Sequence, residues 1–194
     1  MESKPLLKLS LAEFLDRLAS SAPTPGGGSV AALTGALAAA LGQMAAALTI
    51  GRPQSAAVEP QVRTLADRLQ RAEQMLRELI GEDAAAYGVL SAALKLDKSD
   101  PQRRARISAA AGLAGTVPLE TAALSASVLA DLERLRAVAN PRLCSDVDAG
   151  AHLARAALHA AAANVRANLP LMEAPDAEHV GRELDALLRD RPTG

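Results

Sequence analysis

The chain has no tryptophan, one phenylalanine (Phe14) and one tyrosine (Tyr87). Without aromatics to stack on bases, and with a formal net charge of −1, it lacks the equipment of a nucleic-acid binder. The shortage of aromatics also argues against a sheet, whose pleated faces are filled by aromatic and β-branched side chains. Cysteine is as scarce. Cys144 stands alone, which excludes an internal disulfide framework and a cysteine-rich zinc site. It has no histidine at a motif spacing and reads as a loop thiol rather than a nucleophile. Glu178-His179 lacks the Glu-x-x-His spacing of helical di-iron sites, so no metal constellation is expected. The sequence opens without a signal-peptide pattern, which points to a cytoplasmic enzyme or binding domain.

What the chain has in excess is alanine, 45 of 194 residues. Alanine is the best intrinsic helix former and takes little space, so the expectation is helices packed with their backbones close. The length suits one domain covering residues 1–194, with no repeat and no internal boundary. Ser10-Leu11-Ala12-Glu13 is a capping box opening a short helix that fails near Ser20 to Pro23. Pro23 to Ser29 is too rich in proline and glycine to be helical. From Val30 to Ile50 run 21 residues without a charge, then Gly51, Pro53 and Pro60 mark a break. Leucines and other apolar residues recur at helical spacing over 61–96, and Asp100-Pro101 should cap and restart the chain. The following helical pattern is interrupted at Gly115 and Pro118 and continues to about Val138. After the Asn140-Pro141 turn, Ser145 should cap a long helix ending before Pro170, and 176–189 forms a last one. The class is all-α, a bundle of about six or seven helices around a buried Ala/Gly-rich central helix.

The uncharged run has a rival reading as a membrane span. Its apolar content is mostly alanine, Thr34, Gln43 and Thr49 interrupt it, and no aromatic belt flanks it. Gly35 and Gly42, seven apart, suit a close helix contact instead. No membrane partner is expected.

Gly26-Gly27-Gly28-Ser29 stands just before a helix. Free amides at a helix start can receive an anion; equally, glycines there let a neighbouring helix come close. Both readings stand. In 146–169, Asp146, Gly150, Leu153, Ala157, Asn164 and Asn168 share a helical stripe, with His152, Arg155, His159 and Arg166 opposite and facing solvent. Amides and carboxylates on an inward stripe form either a buried polar network or a ligand wall. Asp146 and Asn164 would lie about 27 Å apart along that helix, too far to reach one reacting atom. Asp83 and Tyr87 share a face one turn apart. Lys98 is one of four lysines in an arginine-rich chain; lysine can exchange a proton where arginine cannot. A solvated basic helix end is the plainer reading of it.

Pro25-Gly-Gly-Gly-Ser-Val-Ala-Ala32, Ile50-Gly-Arg52, Asp83-Ala-Ala-Ala-Tyr87 with Lys98, Val117-Pro-Leu119, Ser145-Asp146 and Asn164-Val-Arg-Ala-Asn-Leu169 follow one another in an order that is itself distinctive. This ordered set resembles the cyclodeaminase domain of formiminotransferase-cyclodeaminase and its free-standing bacterial relatives, among them methenyltetrahydrofolate cyclohydrolases. The likeness runs from about residue 9 to 190. It implies an all-helical, oligomeric, metal-free enzyme acting on one-carbon derivatives of tetrahydrofolate, needing no other cofactor. Cyclodeamination of 5-formiminotetrahydrofolate comes first and hydrolysis of 5,10-methenyltetrahydrofolate second; a non-catalytic folate-binding or assembly module is the alternative of another class. The resemblance assigns proton shuttling to Asp83 and Asp146, with Lys98 as proton donor or anion partner. Asn164 and Asn168 would hold the pterin edges, Gly26, Gly27, Gly28 and Ser29 an anionic part of the ligand, and Tyr87 would stack on the ring. The sequence departs from the family where Asp97 replaces a common proline, Ala139 a common glycine and Tyr87 a phenylalanine. With Asp146 so far from Asn164, a cleft completed across a homodimer is expected. A formiminotransferase, if needed, would be a separate chain.

Overall fold

A computed structural model describes residues 4–189. The elements are α1 (Leu11–Leu18), α2 (Gly27–Ala47), α3 (Glu59–Leu94), α4 (Arg103–Val138), α5 (Cys144–Asn168) and α6 (Ala174–Arg189), joined by short 3₁₀ turns. The all-α expectation holds, and no strand occurs among the described residues. α2, α3, α4 and α5 form the bundle. α2 packs between α3 and α5 and lies across from α4, while α6 leans on α4 and α5.

Small residues set the spacing. A Cβ on Gly42 would come within 2.7 Å of both Leu132 and Leu69, and one on Gly35 within 3.0 Å of Ser125. A Cβ on Gly150 would lie 3.2 Å from the Ala38 carbonyl, so α5 rests on the α2 backbone itself. α2 is thus the apolar centre of the bundle, with its small residues from Gly28 to Ala46 buried against its neighbours. One face is not. Leu37, Met44 and Leu48 remain substantially exposed, so α2 is not buried all round as the sequence suggested.

At 36 residues each, α3 and α4 outrun the 21 residues of α2. Beyond the start of α2 they continue as a pair sealed by Leu90, Ile107 and alanines. Arg103 closes the turn between them by donating to the carbonyls of Leu94 and Leu96.

Several local expectations need correction. Gly27, Gly28 and Ser29 form the first turn of α2, so the glycine-rich segment is helical from Gly27 onward rather than non-helical through Ser29. α4 runs unbroken through Pro118, which is buried. Proline lacks the N–H that would bond Ala114 four residues back, and Asn168 of α5 supplies the replacement, its Nδ2 donating to the Ala114 carbonyl at 2.8 Å. The defect is repaired from another helix, so the chain need not bend out. Ser145 is no cap: α5 begins at Cys144, after Leu143, which places Cys144 in a helical turn rather than a loop. Asp100 accepts from the Gln102 amide and orders a turn, and α4 starts at Arg103.

Candidate active site

The step where α2 begins and α3, α4 and α5 run past it is a cleft of about 200 Å³. Pro23, Thr24, Gly26, Gly27 and Gly28 line it from the loop and the start of α2, Asp83 and Tyr87 from α3, Ala114 from α4, and Asn164 and Asn168 from α5. Seven of the ten predicted site residues therefore belong to this one cleft: Gly26, Gly27, Gly28, Asp83, Tyr87, Asn164 and Asn168.

Asp83 is held from below. Ser29 is fully buried and its hydroxyl donates to Asp83 Oδ2 at 2.8 Å. Ser29 thus positions the carboxylate and does not itself line the cleft, contrary to its expected contact with the ligand. An added Cβ on Gly28 would fall 1.9 Å from Asp83 Oδ1, so only glycine lets the carboxylate lie against the first turn of α2. The negative charge that the positive helix end favours is therefore already present as Asp83. That changes the role of the glycine triplet. Its smallness admits a neighbouring helix's side chain, and the anion it receives belongs to the protein.

The asparagines are arranged alike. A Cβ on Gly27 would touch the Asn164 amide at 3.1 Å. Asn164 Nδ2 donates to the Ala160 carbonyl, and Asn168 Nδ2 to those of Ala114 and Asn164. Carbonyl partners accept only N–H, which fixes both amides with Oδ1 as the uncommitted atom. Asp83 Oδ1, Asn164 Oδ1 and Asn168 Oδ1 have no protein donor among the described residues. The functional side chains of the cleft thus offer acceptor oxygens around one carboxylate, and Tyr87, 43% exposed, offers a ring at its edge. Sequence reasoning passed over Pro23, Thr24 and Ala114 as lining residues. Pro118 was the available signal for Ala114, since it frees that carbonyl four residues upstream.

Lys98 and Asp146 do not line this cleft. Lys98 is exposed in the turn after α3. Asp146 sits in the first turn of α5, at the opposite end of the bundle. There a second depression, about 430 Å³, is lined by Arg52, Gln54, Ser55, Asn140, Pro141 and Arg142. Gly51, at φ +78°, reverses the chain after α2. Buried Thr49 accepts from the Asn140 amide and so ties the two arginine-bearing turns together. The Gly51 amide donates to Glu59, which holds that carboxyl below its usual range. On α5, His152 is exposed as expected, but His159 is half-buried, and its Nε2 is enclosed without a hydrogen-bond partner. Among the described residues, no three His, Cys, Asp or Glu side chains gather as a metal-binding group.

The sequence profile of the formiminotransferase-cyclodeaminase family matches residues 10–185. A methenyltetrahydrofolate cyclohydrolase of Methylorubrum extorquens is 35% identical over 182 residues, covering 91% of this chain and 88% of that one. The formimidoyltransferase-cyclodeaminase of Rattus norvegicus is 34% identical over 168 residues, which cover 84% of this chain but 31% of the rat protein. Among solved structures, the formiminotetrahydrofolate cyclodeaminase of Thermotoga maritima superposes with a TM-score of 0.87 at 28% identity, covering 94% and 89% of the two chains. With its profile, its relatives and its fold in agreement, this chain belongs to the formiminotransferase-cyclodeaminase family.

Proposed function

We propose that the protein is an enzyme of tetrahydrofolate one-carbon chemistry, closing 5-formiminotetrahydrofolate to 5,10-methenyltetrahydrofolate with release of ammonia. The observation that carries this reading is the set of acceptor oxygens around Asp83. A protonated formimino group is a cation bearing N–H donors, and the methenyl product is a cation too. A preorganised carboxylate with amide oxygens beside it stabilises such a carbon through the whole reaction.

The proton balance also fits one carboxylate. N10 attacks the formimino carbon and must lose its proton, while the departing nitrogen must gain one before it leaves as ammonia. Asp83 takes the first proton and returns it to the second nitrogen, with no net change of charge. Asp146, supplied by a second copy in a homo-oligomer, shares the shuttle, and Lys98 serves as proton donor or anion partner. Asn164 and Asn168 hold the pterin edge and Tyr87 stacks on it. The reaction needs no metal and proceeds in the cytoplasm.

A second reading has its own support in the 35% identity to a cyclohydrolase over most of both chains. There, water attacks the methenyl carbon, Asp83 accepts a proton from it, and the five-membered ring opens to a formyl group. Purified protein offered each substrate separates the two: methenyl absorbance should rise with stoichiometric ammonia from 5-formiminotetrahydrofolate. Loss of methenyl absorbance without ammonia would identify the hydrolase. Saturable folate binding with neither change would overturn both and leave a non-catalytic module.

A further inference from the structure

The two asparagines of the cleft differ in how far their amides are committed. Asn164 Nδ2 donates to the Ala160 carbonyl at 2.8 Å, and its second N–H has no partner among the described residues. Asn168 Nδ2 donates twice, to the Ala114 carbonyl at 2.8 Å and to the Asn164 carbonyl at 3.0 Å. An amide nitrogen carries two hydrogens, so Asn168 has no donor left. Turning its amide over would set Oδ1 against two carbonyl oxygens. Towards a ligand, Asn168 is therefore an acceptor only, whereas Asn164 can still give one hydrogen.

Position 118 decides this. A residue with an N–H there would bond the Ala114 carbonyl along the helix. Pro118 has none and leaves that oxygen to the Asn168 amide. The chain after α5 keeps the amide in place. Gly115 leaves room for the Met172 methyl, which an added Cβ would strike. The Glu173 amide donates to Ser108 Oγ of α4 at 2.9 Å. These two contacts hold the end of α5 on α4 at positions either side of Ala114.

We propose that Asn168, held by Pro118 through the Ala114 carbonyl, is the residue by which this cleft tells a carbon unit that donates a hydrogen bond from one that only accepts. The inference rests on the folate reading and holds for either reaction. A formimino group at the N5 edge of the pterin presents N–H. The hydroxyl that water leaves on the methenyl carbon presents O–H. Either donates to Asn168 Oδ1. A formyl group offers only its carbonyl oxygen and meets two acceptors, Asn168 Oδ1 and Asp83 Oδ1. A 5-formyl folate is thereby rejected, and a formyl product is released. Asp83 favours a cation by its charge; neutral Asn168 discriminates by the direction of the hydrogen bond alone.

Initial-rate inhibition tests it, because 5-formyltetrahydrofolate differs from the formimino compound only in O against N–H on the carbon unit. In the wild type its inhibition constant should exceed the KM of the folate turned over by about 100-fold. Asn168→Ala should narrow that ratio about tenfold. Pro118→Ala/Asn168→Ala should narrow it equally while melting above Asn168→Ala, which removes loss of fold as the cause. Pro118→Ala alone gives Asn168 back one hydrogen and should narrow the ratio about threefold. An inhibition constant equal to KM, or a ratio unmoved by Asn168→Ala, overturns the inference and leaves the folate reading standing. A ratio moved by Asn168→Ala but not by Pro118→Ala overturns the part given to Pro118. If neither folate binds, acetamidinium and acetamide titrated against the Asn168 side-chain amide signals in NMR decide the matter. A shift with acetamidinium alone overturns the folate reading and keeps the donor selection; equal shifts overturn both.

Discussion

The two ends of α2 are built differently. At its start, the polar groups are carried by regular helices and pinned by neighbouring groups: buried Ser29 holds Asp83, and backbone carbonyls hold both asparagine amides. At its far end, the arginines ride on a reversing turn and a 3₁₀ turn, joined to each other by the Thr49–Asn140 bond and held locally, Arg52 Nε donating to the Leu48 carbonyl and the Arg142 amide to Asn140 Oδ1. The first end is preorganised, as a reacting centre must be, because misplacement by about 1 Å can cost about 100-fold in rate. The second is held by turns, which suits groups that attract a ligand and need less exact placement. The contrast teaches that similar clefts in one bundle need not carry equal shares of the chemistry.

The sharpest way to break this contrast is to remove the carboxylates. Asp83→Asn should lower turnover about 10²- to 10⁴-fold with the fold intact, and Asp146→Asn should do likewise if it serves a partner's site. Neither variant acts alone, but mixed subunits that exchange freely should recover about a quarter of wild-type activity, since half of random dimers carry one intact site of two. Steady recovery of nothing, with exchange shown by mass, would mean that the two ends never meet.

Gly28→Ala probes the preorganised end without touching an ionisable group. Its Cβ would fall on the Asp83 carboxylate, so the aspartate must move. Turnover should fall about 100-fold. Thermal unfolding should show a loss of about 1–3 kcal/mol from overpacking. Asn168→Ala comes next. It leaves the Ala114 carbonyl without its donor, which should cost about 1–3 kcal/mol, and the loss should shrink in a Pro118→Ala background where α4 makes its own bond.

The smallest effect lies in the capping box of α1, away from both ends. The Ser10 amide, aided by Lys4, holds the Glu13 carboxyl down to about 2. A lowered value means the bond stabilises the fold above the ordinary glutamate range and is lost as pH falls through about 2. A carboxyl titration by NMR should place the Glu13 midpoint there, with activity unaffected by Glu13→Gln.

Much of this was legible in the residues. Helical spacing, caps and the uncharged run located the six helices of the described residues, with α4 read as interrupted, and Gly35 and Gly42 announced the close packing against Leu69, Leu76 and Leu132. The ordered motifs named most of the cleft. What the sequence hid were relations between helices. Pro118 looked like a break because its repair comes from Asn168, 50 positions on. The glycine triplet could not show whether its anion was a ligand or Asp83, since that depends on how α3 meets α2. Likewise, Ser29 sits on the helix beside the cleft, but whether it looks outward or inward is decided by 100° of rotation that only packing fixes.

The bond from Asn168 to Ala114 has a bearing on registration. α4 and α5 meet through many alanines, with Leu119, Leu158 and Val165 among them, and methyl groups offer few ridges to stop one helix sliding along its neighbour. A polar latch at a carbonyl that exists free only because of Pro118 adds to the Arg136–Asp148 pair near the other end of the contact in favouring one axial position. Asn164 lies one turn from that latch, so locking α5 on α4 also sets how far its amide stands from Asp83. A proline that looks like a fault in a helix serves as the index mark against which the cleft is measured.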